Sequence, residues 1–141
     1  MDFDKLHGQH RAIVRLASNV IGLAGELRTR DDAVEARLLI ERLDRVLGLH
    51  LELEDREIMP ALMTSEDAET RAVAADCVEE MGGLGSAWRD HLALWSVEVI
   101  HREPQRFRCA MHRLMEAIVR RVEREERELY PRAEALSKLA A

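Results

Sequence analysis

Apolar residues recur in helical phase from the start of the chain. Leu6, His10, Ile13, Ala17, Val20, Ala24 and Leu27 fall three or four apart, counting the histidine as in phase, and predict a first helix ending near Arg28. Thr29-Arg30-Asp31-Asp32 supplies capping side chains. A second stripe then runs through Ala36, Leu39, Leu43, Val46, His50, Leu53 and Glu57, carrying a helix to about Met63. Ser65 opens a run with acids in its first turn, which predicts a third helix from Ser65 to about His101. Gly82, Gly83 and Gly85 weaken that helix, since each glycine costs about 0.5–1 kcal/mol relative to alanine in a helix interior; a local distortion is expected there. Pro104 suits the first turn of a fourth helix, in which Phe107, Met111, Leu114, Ile118, Arg121, Glu125 and Leu129 share a face. Four such helices with short connections define an all-α fold, an antiparallel up-down-up-down four-helix bundle, and the 141 residues fit a single domain spanning 1–141.

The pattern also repeats. Residues 50–60 read HLELEDREIMP and residues 121–131 read RVEREERELYP, so an offset of 71 matches Glu52 with Glu123, Glu54 with Glu125, Arg56 with Arg127, Glu57 with Glu128 and Pro60 with Pro131. The two halves read as related hairpins, an internal pseudo-two-fold repeat. The same offset sets His10 opposite Met81 and His50 opposite Arg121. A first turn centred near residue 30 brings His10 and His50 to one level, and the other turns bring Met81, Arg121 and Glu125 to the same layer.

That layer carries the chemistry. In His50-x-x-x-Glu54 an imidazole and a carboxylate lie one helical turn apart on one face, the spacing at which they can share a metal. His10 arrives from the first helix and Glu125 from the fourth, all on or beside stripes that should face the core, where isolated carboxylates are rare. Here the chain resembles the hemerythrin-like family, the HHE cation-binding domain, and His50 through Pro60 is the most specific part of the likeness. The resemblance implies a four-helix bundle holding non-haem iron, with His10, His50, Glu54 and Glu125 as metal ligands. Where the family has its third and fourth histidines, this sequence has Met81 and Arg121. A thioether is a poor ligand for hard iron, and a guanidinium stays protonated.

Two readings follow. In one, His10, His50, Glu54 and Glu125 hold a metal ion, iron, zinc or manganese, with one ion or a depleted pair in place of the usual dinuclear centre. In the other, Arg121 lies between Glu54 and Glu125 and its fixed charge takes the place of the metal, leaving a metal-free interaction module. His91 is the strongest rival ligand, although a continuous third helix places it ten residues, about 15 Å, from the Met81 level. His7 reads as an exposed first-turn residue, His112 as the edge of the core, Trp88 and Trp95 as packing, and Glu98-x-x-His101 as half of a carboxylate motif without its second half. Of the charge run from Arg120 to Glu128, Glu125 and Arg121 are expected to turn inward, with the rest solvated.

Composition narrows the function. Lys and Arg number 21 against 27 Asp and Glu, a net charge of −6, which excludes the basic footprint of a nucleic-acid binder. No stretch has the apolar length of a membrane span, the first twenty residues lack a signal-peptide core, and two cysteines, placed about 30 Å apart along the bundle, indicate no disulfide framework; a cytoplasmic location is expected. There is no nucleophile constellation, phosphate loop, HExxH or CxxC, so hydrolase and transferase chemistry have no support, and an oxidase has little. The resemblance implies a metal-binding protein that binds or senses oxygen, nitric oxide or iron, with a separate protein partner reading its state.

Overall fold

In the computed structural model, which describes residues 1–140, helix dominates and no strand occurs among the described residues. Four long helices make an all-α bundle: α1 Phe3–Ala24, α2 Arg30–Glu57, α4 Ala68–Leu94 and α6 Pro104–Arg124. Two short helices, α3 Met59–Met63 and α5 Val97–Arg102, serve the connections, and α7 Tyr130–Ala140 extends the fourth arm beyond a widened turn at Glu125–Leu129.

Local chemistry explains the boundaries. Asp2 caps α1 by accepting from the Lys5 N–H. Thr29 and Asp32 form a reciprocal capping box on α2, satisfying two backbone donors that a helix start leaves free. Four boundaries differ from the sequence expectation. The first helix stops at Ala24 rather than Arg28, with the Gly25 N–H closing its last turn on the Gly22 carbonyl and the Glu26 N–H on that of Leu23. The second breaks after Glu57, because Pro60 cannot continue its hydrogen-bond ladder and instead begins the short α3.

The third starts from Asp67 rather than Ser65, since the Asp67 carboxylate accepts the Thr70 N–H while Ser65 Oγ accepts from Asp67. It ends at Leu94 rather than near His101, because Arg37 binds the carbonyls of Leu92 and Trp95 and Ser96 caps a new helix. The glycines neither break nor distort it. Gly82, Gly83 and Gly85 lie inside α4 with no positive φ, and a Cβ at Gly82 or Gly83 would meet nothing within 4 Å, so no close approach requires them. A 27-residue helix anchored by buried Ala74, Cys77, Trp88 and His91 absorbs their cost.

The core comes in two parts. The larger contains Ile13, Ile40, Leu43, Trp88, Trp95, Phe107, Met111 and Met115, and the smaller contains Leu6, Leu53, Ile58, Leu62, Cys77, Leu129 and Tyr130. Along α1 the sequence passes from Leu6 in one to Ile13 in the other through His10. Along α2 it passes from Leu43 to Leu53 through His50, and along α6 and the widened turn after it from Ile118 to Leu129 through Arg121 and Glu125. A polar layer therefore divides the hydrophobic interior.

The repeat is visible in this architecture. In both halves the helix loses its regular ladder between the inward glutamate and a proline, at Ile58 between Glu54 and Pro60 and over Glu125–Leu129 before Pro131. The widened turn accommodates Pro131, whose ring and missing N–H would otherwise conflict with the carbonyl four residues back.

Candidate metal centre

Ligand atoms of His10, His50, Glu54 and Glu125 all lie within 4.8 Å of one another, and all four side chains are buried. His10 Nε2 is 2.8 Å from Glu125 Oε1, and His50 Nε2 is 3.2 Å from the same oxygen and 3.5 Å from Glu54 Oε2. Donors bound to one ion at about 2.1 Å stand about 3.0–3.4 Å apart at right or tetrahedral angles, so these three separations are close to those a single cation would impose.

Residues outside the cluster fix the rings. His10 Nδ1 donates to Glu126 Oε1 at 2.6 Å, and His50 Nδ1 donates to Gln9 Oε1 at 2.8 Å. With the outer nitrogen of each ring so engaged, the inner Nε2 faces the centre, the orientation that metal-binding histidines need. Half-buried His7 joins the same carboxylate, Nδ1 to Glu126 at 2.7 Å, and so supports His10 instead of standing free in the first turn. Neither Gln9 nor Glu126 was identifiable from the sequence. Gln9 adjoins His10 and Glu126 adjoins Glu125, and helical spacing alone turns immediate neighbours to different faces.

Electrostatics separates the two carboxylates. Burial opposes the ionised form of Glu125, but bonds from His10 and His50 and the charge of Arg121 hold its carboxyl well below the usual range. Burial and the neighbouring Glu125 push Glu54 upward despite the opposing pull of His50. Burial likewise opposes protonation of His50, yet bonds and charge from Glu125 and Glu54 win and push its pKa up to about 9. A proton on His50 therefore competes with any cation for the same nitrogen.

The other half of the layer differs. Arg121, only 5% exposed, donates from Nε to Glu125 Oε2 at 2.9 Å and from Nη1 to the Cys77 carbonyl at 3.1 Å. The metal-free reading of the sequence places Arg121 between the two glutamates; instead it engages Glu125 and the backbone of α4. The second oxygen of Glu125 is thus committed to a guanidinium and is not free to bridge to another ion. A cavity of about 290 Å³ lies on this side, lined by Glu54, Met81, Gly82, Gly85, Arg89 and Arg121. Met81 and Arg121 therefore do face the layer that the 71-residue offset assigned them to, without supplying donors for a second metal.

His91 is elsewhere. Its ring packs against Trp88 and Phe107 at centroid distances of 5.7 and 5.9 Å, with Nε2 directed at the Met111 sulfur, inside the larger core. Burial and the charge of Arg37 lower its pKa to about 4. Trp88 and Trp95 are core residues, and Glu98 pairs with Arg30 on the surface while His101 is exposed. Cys77 is buried, Cys109 exposed, and both are free.

The sequence reading passed over Tyr130. Its side chain is 1% exposed, and its hydroxyl donates to Glu54 Oε2 at 3.0 Å while lying 3.1 Å from His10 Nε2 and 3.4 Å from His50 Nε2. Five residues beyond Glu125, it would lie about 140° away on a regular helix, and no α-helical spacing rule selects it.

A helical bundle with a buried histidine and carboxylate cluster between two hydrophobic cores is an architecture that could hold a cation. The family model of the hemerythrin HHE cation-binding domain matches residues 1–133, and the chain belongs to that family. No curated protein and no solved structure matches it. No helix among the described residues is long and apolar enough to cross a membrane.

Proposed function

We propose that this domain binds one metal ion through His10, His50, Glu54 and Glu125, with non-haem iron the best match to the mixed nitrogen and oxygen donors and zinc or manganese able to replace it. The observation that carries this reading is the pair of outer hydrogen bonds, Glu126 on His10 Nδ1 and Gln9 on His50 Nδ1, which turn both Nε2 atoms toward the shared Glu125 oxygen. When bound, the ion supplies Lewis acidity and, as iron, one-electron chemistry and a site for oxygen or nitric oxide. The chain's own residues orient the donors, exclude bulk water from a layer between two apolar cores, and release the His50 proton as the cation enters. Arg121 limits the centre to one ion and offsets part of the charge of Glu125. The output is the binding or sensing of a diatomic ligand or of iron itself, read by a separate protein.

A second reading has its own support. The Arg121–Glu125 ion pair already satisfies the most strongly ionised carboxylate, and no buried side-chain nitrogen or oxygen among the described residues lacks a hydrogen-bond partner. In that case the layer is a closed polar network and the acidic chain is a metal-free interaction module. Metal content of the wild type and of His50→Ala separates the two. Stoichiometric metal in the wild type and its loss in the variant support the metal centre. Equal content in both proteins rules out this ligand set.

A further inference from the structure

We propose that Tyr130 is a fifth protein ligand of the ion, binding as a phenolate and suiting the centre to ferric iron; this rests on the metal-binding reading above. Three separations support it. The Tyr130 oxygen stands 3.1, 3.4 and 3.0 Å from His10 Nε2, His50 Nε2 and Glu54 Oε2, the same range that separates the other candidate donors from each other. An atom at that distance from three donors is placed where a further ligand of the same ion could stand. The ring is held there by stacking on His10 at a centroid distance of 5.0 Å and an interplanar angle of 3°, with Phe3 and His7 against its edges.

The backbone gives an independent argument. The Tyr130 N–H bonds the Glu125 carbonyl, an i→i+5 closure that adds one residue to the turn. That extra residue cancels most of the overshoot a regular helix would impose, so Tyr130 stands over Glu125 on the inward face. Widened turns of this kind are uncommon and concentrate at functional sites. Here the turn coincides with the place where Glu125 and Glu126 both bond His10 and where Tyr130 enters the cluster.

Donor chemistry selects the ion. A phenolate oxygen is a hard donor suited to ferric iron, and with Glu54 and Glu125 it would give the ion three anionic oxygen ligands, of which Glu125 shares its charge with Arg121. Coordination forms the metal–oxygen bond and breaks the phenol O–H bond, whose proton leaves to solvent; no electron is transferred. Five protein donors then leave one of six positions for an exogenous ligand.

Tyr130 is the only tyrosine in the chain, so its signature is unambiguous. The test loads the protein with ferric iron, measures iron per chain, and records visible absorption and resonance Raman spectra of the wild type and of Tyr130→Phe. The expected result is a phenolate-to-iron charge-transfer band with enhanced tyrosine ring vibrations in the wild type. Tyr130→Phe should lack the band while retaining at least half of the iron. A wild type holding one ferric ion without the band, or a band that survives in Tyr130→Phe, overturns the proposal while leaving the four-residue centre standing. A wild type that takes up no iron overturns both. Resonance Raman of the wild type alone decides the point should the variant fail to fold.

Discussion

The two halves of the bundle both bury histidine and put it to opposite use. On the α1–α2 side, His10 and His50 are surrounded by carboxylates and an amide, and the pKa of His50 rises to about 9. On the α4 side, His91 lies among Trp88, Trp95, Phe107 and Met111, and its pKa falls to about 4. At the level of the polar layer, where the first half has His50 four residues before Glu54, the second has Arg121 four residues before Glu125. One half thus presents a nitrogen that can exchange a proton for a metal, and the other a cation that can exchange nothing. Surroundings, more than residue type, decide what a buried histidine does, and a single arginine separates a titratable half-site from a closed one.

Removing the carboxylate that both halves share should do most damage. Glu125→Ala leaves Arg121 buried without its partner and deprives both histidines of a common acceptor. It is expected to abolish metal binding and cost about 3–5 kcal/mol in urea denaturation, whereas Glu54→Gln, on a carboxyl already pushed toward neutrality, should abolish metal binding but cost about 1 kcal/mol or less. Equal destabilisation by the two would break the asymmetry.

The two histidine environments also predict a pH dependence. His91 is neutral in the fold and takes up a proton on unfolding, so its contribution is fully present above about pH 6.5 and is lost as pH falls toward 4. Over that window the loss reaches about 3 kcal/mol, and His91→Leu should remove it from the pH profile of stability. On the other side, a cation must displace the His50 proton, so metal affinity should rise at least about tenfold per pH unit up to about pH 9, measured by competition with a chelator.

Smaller effects belong to the supporting residues. Gln9→Ala frees the His50 ring and should weaken metal binding about 10- to 100-fold in the same competition assay, with one ion per chain still bound at saturation. Thr29→Ala and Asp67→Ala remove the caps of α2 and α4, one in each half. Each should cost about 1 kcal/mol in thermal or urea denaturation and leave metal stoichiometry unchanged.

The bundle and its polar layer were legible because both rest on period. Apolar spacing of three and four located the long helices, and hairpin turns centred near residue 30 and its counterparts, with the 71-residue offset, placed His10, His50, Glu54 and Glu125 at one level. Met81 and Arg121 were legible as departures for the same reason. Helix ends were less so, because they depend on which of several polar residues caps: Asp67 competes with Ser65, and the break at Trp95 depends on Arg37 reaching across from α2. Gln9, Glu126 and Tyr130 were hidden by the period itself. The first two neighbour inward residues in sequence, and the third reaches the cluster only because one turn of the fourth arm is widened.

The most direct test counts metal ions in protein purified without an affinity tag or chelator and loaded anaerobically with Fe(II), comparing the wild type with a Met81→His, Arg121→His double variant. One ion per wild-type chain, rising to two when the second half regains histidines beside the cavity lined by Glu54, Met81 and Arg121, is the predicted result. No ion in the wild type would show that the Arg121 charge has replaced the metal, and two ions in the wild type would contradict the claim that Arg121 closes half of the site.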